Sequence, residues 1–143
     1  MNKTRRGTVI IETENGILLT KMKGNLFILP GGQAEKNEPR IISAIRELKE
    51  ETNLDAQSVI FLFTHESTYY SHKVFYIQAE GKLKPRNEIE ELNFTHLIDP
   101  QNITKSSHDI IQRFMREKNG YFDRFKKLFK SHLPARINSR RTS

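Results

Sequence analysis

The run Gly31-Gly32-Gln33-Ala34-Glu35-Lys36-Asn37-Glu38-Pro39-Arg40-Ile41-Ile42-Ser43-Ala44-Ile45-Arg46-Glu47-Leu48-Lys49-Glu50-Glu51-Thr52-Asn53-Leu54 carries the densest signal in this chain. From about Glu38 to Asn53 it reads as a helix, because Ile41, Ala44, Ile45 and Leu48 recur at helical spacing and form one apolar stripe. Asn37 is a suitable N-cap, and Pro39 falls in the first turn, where its missing N–H goes unnoticed. Asn53 can take the left-handed conformation that ends a helix. On this helix Glu47, Glu50 and Glu51 stand at i, i+3 and i+4, so three carboxylates project from one face. Charges of one sign held this close repel. A hard divalent cation such as Mg²⁺ would relieve that repulsion, since it prefers oxygen ligands and keeps water and substrate phosphates in its shell. An ordinary solvated charged face would show the same spacing, so the helix alone does not decide between the two.

Strand signals lie on both sides of this segment. Gly7 to Glu12 alternates and is rich in Val and Ile; Asn15-Gly16 is a strong hairpin signal, and Ile17-Leu18-Leu19-Thr20 supplies the second strand. Leu26 to Leu29 is a short apolar segment stopped by Pro30-Gly31-Gly32. Downstream, Val59–Phe63, Val74–Ala79 and Leu92–Ile98 read as strands, with a Tyr/Ser/His loop between the first two. A second helix is expected from Ser107, with Asp109 near its positive end, continuing through Ile110, Ile111, Phe114 and Met115. An α/β fold, a mixed sheet sandwiched between helices, is the natural assembly of these elements.

The quoted run resembles the Nudix box: a Gly, five residues, a Glu, seven residues, Arg-Glu, an aliphatic, any residue, Glu-Glu, any residue, Gly, an aliphatic. The matching positions are Gly32, Glu38, Arg46, Glu47, Leu48, Glu50, Glu51 and Leu54, and the departure is Asn53 in place of Gly. Phe27-Ile28-Leu29-Pro30-Gly31-Gly32 is similar to the family's lead-in, with Phe27 where a Trp is common. The resemblance implies a Nudix α/β/α sandwich and a pyrophosphohydrolase that cleaves a nucleoside diphosphate derivative. It also implies that Glu47, Glu50, Glu51 and the Gly31 carbonyl hold Mg²⁺, with Mn²⁺ as a substitute. Glu38 would support the site and Arg46 would orient the glutamates by ion pairing. Pro30-Gly31-Gly32 would bring backbone close to metal and substrate, which places Gly32 at the substrate. In such enzymes a carboxylate beyond the box often serves as base or extra ligand. Glu88, Glu90 and Glu91 are the candidates here, Glu88 first, against the plain reading of a solvated acidic turn. A tyrosine at the spacing of Tyr70 (with Tyr69 beside it) resembles a base-stacking position of enzymes acting on dinucleoside polyphosphates; a ring packed on the surface is the simpler account. A proline at that spacing, associated with ADP-ribose enzymes, is absent.

Composition narrows the remaining classes. The 143 residues suit one domain, and zero cysteines exclude thiolate metal sites and a cysteine nucleophile. No run suits a membrane span or a secretory signal, so a cytoplasmic location is expected. The net charge of +7 is uneven: residues 121–143 hold seven Lys/Arg against one acid, whereas the first 120 hold 17 basic and 16 acidic side chains. We therefore expect a Nudix domain over residues 1–120 and a basic amphipathic tail over 121–143. In that tail Tyr121, Phe122, Phe125, Leu128 and Phe129 interleave with Arg124, Lys126, Lys127 and Lys130. Its aromatic face suits packing on the domain; the basic face suits RNA or an anionic membrane. A nucleoside triphosphate is the first expected substrate, then a dinucleoside polyphosphate, then an RNA 5′ end. The alternatives are a non-catalytic nucleotide sensor of the same fold and an RNA-binding protein acting through the tail; retention of every box glutamate favours the enzyme. His65 and His72 flank the Tyr/Ser/His loop without a metal-ligand partner at convincing spacing, and read as structural.

Overall fold

A computed structural model describes residues 2–96 and 102–124, together with the backbone of 137–138. Its first strand, β1 (Thr4–Ile10), is followed by β2 (Glu12–Thr13), β3 (Gly16–Met22), β4 (Gly31–Gln33) and helix α1 (Arg40–Thr52). Strands β5 (Asp55–Glu66), β6 (Tyr70–Lys82) and β7 (Ile89–Thr95), helix α2 (Lys105–Arg124) and β8 (Ile137–Asn138) complete the order. One sheet runs β4-β1-β6-β5 with β8 beside the end of β6, and a second runs β2-β3-β7. The first is mixed: β1 lies parallel to β6 and antiparallel to β4, while β5 and β6 form a long hairpin.

Strand alternation divides the interior. Val9, Ile11, Phe75 and Ile77 pack with Ala44, Leu48 and Leu54 on the α1 side. Ile10, Val74 and Tyr76 pack with Ile110, Ile111, Phe114, Tyr121 and Phe122 of α2 on the other. The sheet is thus sandwiched between two helices, as expected. Among the described residues no helix is long and apolar enough to cross a membrane.

Several local expectations shift. Helix α1 starts at Arg40 with Pro39 as N-cap, making no side-chain cap bond, because Asn37 is itself left-handed (φ 65°) and belongs to the turn before the helix. Its buried stripe is Ser43, Ala44, Leu48 and Thr52, whereas Ile41 and Ile42 face outward. Asn53 does end α1, at φ 68°. The stretch between β5 and β6 shrinks to a tight turn, so His65 and His72 are cross-strand partners instead of loop residues. Helix α2 begins at Lys105, which leaves Asp109 beyond the first turn, paired with Lys105 at 3.1 Å. The expected boundary between residues 120 and 121 falls inside α2, because Tyr121 and Phe122 are buried in the core. Ile98, Phe125, Lys126, Lys127, Leu128, Phe129 and Lys130 lie outside the described residues.

Candidate active site

The site is built where β4 passes under α1. The β1–β4 pairing sets Gly31 against Thr8 and Gly32 against Gly7. Gly31 sits at φ +133°, and a Cβ there would lie 2.1 Å from the Gly7 carbonyl oxygen. A Cβ on Gly32 would lie 2.4 Å from Glu47 Cδ, so glycine lets this backbone pass beneath the carboxylate without displacing it. Gly7 is equally constrained: a Cβ would lie 2.2 Å from Arg40 O, at the start of α1. This close approach explains why helix and strands stand in fixed register around the glutamates.

Arg46 organises the carboxylates. Its Nε donates to Glu38 Oε2 at 3.0 Å and its Nη2 to Glu38 Oε1 at 2.9 Å, a bidentate fork. Its Nη1 donates to Glu47 Oε1 at 2.8 Å and lies 3.5 Å from Glu50 Oε2. Glu38 also accepts from the Glu35 N–H at 2.9 Å. The hydrogen bond from Arg46 pulls the Glu38 carboxyl down to about 2, and the same bond raises the Arg46 guanidinium further. Glu51 has a different environment. It accepts from the Gly31 N–H at 3.0 Å, and burial pushes its carboxyl up to about 7. Burial raises Glu47 as well, against the opposing pull of Arg46. Glu50 is the most open of the three, its side chain 46% exposed.

The structure brings Gly31, Gly32, Glu38, Arg46, Glu47, Glu50 and Glu51 into one assembly. Their side chains do not yet form a cage: among the described residues no three His, Asp or Glu converge tightly enough to hold an ion by themselves. The donor set nevertheless suits a hard cation. All the donors are oxygens, burial raises the pKa of both Glu47 and Glu51 in the way a bound cation would oppose, and Mg²⁺ needs only one or two carboxylates when substrate completes its shell.

Glu88 is brought near but not in. The Arg86 N–H donates to Glu51 O at 3.1 Å and the Lys84 N–H to Thr52 O at 3.1 Å, so this loop covers the end of α1. The Glu88 side chain is exposed, and Glu90 and Glu91 belong to β7. Tyr70 lies on the other face of the sheet, at the rim of a cavity of about 220 Å³ lined by Arg6, Ile28, Tyr70, His72, Thr104, Ser106 and Ser107. Arg6 is not among the candidate site residues read from the sequence, and His72 is read there as structural. An arginine alternating with Thr8 and Ile10 in an apolar strand was a usable signal for Arg6. Nothing local announces the parallel β1–β6 register that sets Arg6 opposite His72. Arg6 links the cavity to the carboxylates: its Nη2 donates to Leu29 O at 2.9 Å, and burial lowers its affinity for a proton while Glu51 and Glu47 raise it.

Comparison with known proteins agrees with this geometry. The NUDIX domain family model matches residues 1–116. An ADP-ribose pyrophosphatase of Methanocaldococcus jannaschii is 34% identical over 122 residues, 78% of this chain and 72% of that protein. Among solved structures, one assigned to the nudix hydrolase family from Chromobacterium violaceum has a TM-score of 0.81 at 32% identity, covering 90% of this chain and 89% of its own. A bifunctional NMN adenylyltransferase/ADP ribose pyrophosphatase from Francisella tularensis, solved with AMP and a manganese ion, shares the fold at a TM-score of 0.62. It is 18% identical and is matched over 81% of this chain and 42% of its own. With its box assembled as the geometry requires and the family model spanning most of its length, the chain belongs to the Nudix hydrolases, a family of pyrophosphohydrolases.

Proposed function

We propose that this protein is a Mg²⁺-dependent hydrolase of a diphosphate bond in a nucleoside diphosphate derivative, with a nucleoside triphosphate as first candidate. The observation that carries this reading is the carboxylate assembly on α1, held by Arg46 and the Gly31 N–H, with a cavity of about 220 Å³ lined by Arg6 nearby. Glu47, Glu50 and Glu51, with the Gly31 backbone, would hold the divalent ion that Nudix hydrolases generally use. When bound, that ion neutralises charge on the phosphates and lowers the pKa of a bound water.

The chain's own residues position the rest. Arg46 fixes the Glu47 rotamer from one side while Glu38 anchors Arg46 from the other, so Glu47 is oriented before any ligand arrives. The Gly31 N–H fixes one Glu51 oxygen and leaves the second for the ligand side. Arg6 supplies a permanent positive charge between the carboxylates and the cavity, where a diphosphate would otherwise be repelled by Glu47 and Glu51. Glu88 is proposed as the external base because its loop is hydrogen-bonded to the end of α1 and its carboxylate is solvent-accessible. Tyr70 is proposed to stack on the base from the cavity rim.

A second reading, ADP-ribose, is favoured by the 34% identical relative of that name. Chromatographic separation of products across nucleoside triphosphates, dinucleoside polyphosphates, ADP-ribose, nucleotide sugars and 5′-triphosphate RNA decides between them: pyrophosphate or phosphate leaves a triphosphate, whereas ADP-ribose gives AMP and ribose 5-phosphate and a dinucleoside polyphosphate gives two nucleotides. A clear preference that vanishes in Glu51→Gln supports the enzyme and names its substrate. Turnover undiminished in both Glu50→Gln and Glu51→Gln would overturn the assignment of these glutamates. Silence across the panel would favour a nucleotide sensor. The basic tail is left as an RNA contact to be tested in the same panel, through the 5′-triphosphate arm.

A further inference from the structure

His72 carries an unspent hydrogen bond. It is 6% exposed, and its Nδ1 is hydrogen-bonded to Thr8 Oγ1 at 2.8 Å. Its Nε2 is buried with no partner, the one such side-chain atom among the described residues. Buried polar atoms are nearly always satisfied, because an unmade bond forfeits the full desolvation of the group. An orphan that persists therefore points to a partner the apo chain does not supply. The imidazole lines the cavity beside Arg6 and lies 5.9 Å, centroid to centroid, from the ring of Tyr70.

We propose that His72 is a specificity-determining residue whose Nε2 makes a direct hydrogen bond to the polar edge of a nucleobase bound in this cavity. Four features agree on that class of ligand. The cavity, about 220 Å³, suits one planar heterocycle rather than a whole nucleotide. Tyr70 offers a ring at its rim, and Thr104, Ser106 and Ser107 line the α2 side with hydroxyls. Arg6 lines the cavity and lies within electrostatic reach of Glu51 and Glu47, so a base seated against His72 can have its phosphates beside a guanidinium on the way to α1. Finally, burial and the charge of Arg6 keep the imidazole neutral, down to about pH 4. A neutral ring retains one lone pair and one N–H, and the Thr8 hydroxyl can serve Nδ1 as donor or as acceptor. Nε2 is then matched to an edge with hydrogen-bonding groups and leaves a purely apolar ring unrewarded.

This inference rests on the diphosphate lying at α1, and its test separates the two. Binding of nucleoside 5′-monophosphates and of ribose 5-phosphate is measured by calorimetry on the metal-free chain, which needs no turnover. His72→Phe, which keeps the ring and removes both nitrogens, is expected to weaken the best-bound monophosphate by about tenfold, as loss of one buried hydrogen bond does. Ribose 5-phosphate, lacking the base, should bind the variant as it binds wild type, and His72→Gln should recover part of the loss. In turnover assays on the preferred substrate, the loss should appear in KM with kcat little changed. Because the change also leaves the buried Thr8 hydroxyl without its Nδ1 partner, the variant is expected to melt lower than wild type, and the binding comparisons are made below its melting temperature. Equal weakening of base-bearing and base-free ligands, or none of either, would overturn the role of His72. If His72→Phe behaves as expected while no diphosphate is hydrolysed, the hydrolase reading fails and the base site stands.

Discussion

Glu51 sits where burial and chemistry oppose each other. Its carboxyl is raised to about 7 because it is buried, yet holding a cation requires it charged. A carboxyl whose folded pKa exceeds its ordinary value of 4.5 stabilises the fold fully below that value, and this contribution is lost as pH rises to about 7. In the presence of a chelator, Glu51→Gln should therefore gain on wild type between pH 4.5 and 7, by up to roughly 3 kcal/mol from the shift of the group. Melting curves at four or five pH values check this; a difference that is flat across the window would show that Glu51 is not desolvated. His72 runs the other way. Its folded pKa of about 4 lies below the usual 6.5, so its contribution is present above 6.5 and lost as pH falls through 4. The two partly mask each other in wild type, which is why the comparison must be made against the variant. At pH 7.5 Mg²⁺ should raise the melting temperature of wild type and not of Glu51→Gln, by about 2.7 kcal/mol of stability at a hundredfold excess over Kd. Arg46→Ala, by contrast, removes no proposed ligand, only the group that orients Glu47. Its kcat/KM should fall by roughly 10–100-fold, the usual effect of losing such a positioning contact, while the Glu38 carboxyl titrates upward from about 2 when its fork partner is gone. Activity within twofold of wild type would exclude the positioning role.

At the scale of elements, the site depends on how closely α1 lies on β1 and β4. Gly7 meets the start of the helix, with a Cβ placed 2.2 Å from Arg40 O and 2.8 Å from Ala44 N, both backbone atoms that cannot swing aside. Gly7→Ala should lift α1 and lower stability by at least about 1–3 kcal/mol, the usual penalty of overpacking. Gly32→Ala meets a side chain instead, Glu47 at 2.4 Å, so it should displace the carboxylate and reduce activity more than stability. Denaturation midpoints and kcat/KM for the pair check the contrast; equal losses in both would refute it. The same elements show what was legible in the sequence. Helix α1 was readable because its periodicity, left-handed Asn53 stop and flanking glycines are local signals. Its start was misjudged because Asn37, a good cap by type, is consumed in a left-handed turn stabilised by Glu35 and Glu38. The long β5–β6 hairpin extends beyond the expected strands at both ends, because polar residues such as His65, Glu66, Ser71 and His72 carry no local strand signal. Their strand pairing rests on a partner that local alternation cannot reveal.

Across the whole molecule, the box glutamates were legible and the cavity was not, for one physical reason. Glu47, Glu50 and Glu51 share a helix, where spacing alone fixes neighbours, whereas Arg6, Ile28, Tyr70, His72 and Thr104 come together only when β1 pairs with β6 and α2 closes over them. Long-range assembly of this kind also decides where the domain ends. The charge step at residue 121 suggested a boundary there, but charge patterning reports solvent-facing side chains and is blind to what the other helix face buries. Tyr121 and Phe122 are 9% and 7% exposed and belong to the same core as Ile10, Tyr76 and Phe114. The Tyr121 hydroxyl donates to Glu117 at 2.7 Å, and the Phe122 ring lies 6.0 Å from that of Tyr76. We therefore place the end of the folded unit no earlier than Arg124. Ending the chain after Gly120 should remove at least the roughly 3–5 kcal/mol of a buried aromatic, and a chain ending after Arg124 should avoid that loss. Thermal melts of the two shortened forms, with Phe122→Ala in the full chain as a reference, test this. If the form ending at Gly120 melts with the one ending at Arg124, and Phe122→Ala is silent, then α2 closes the core with Phe114 alone and the charge step marks the boundary after all.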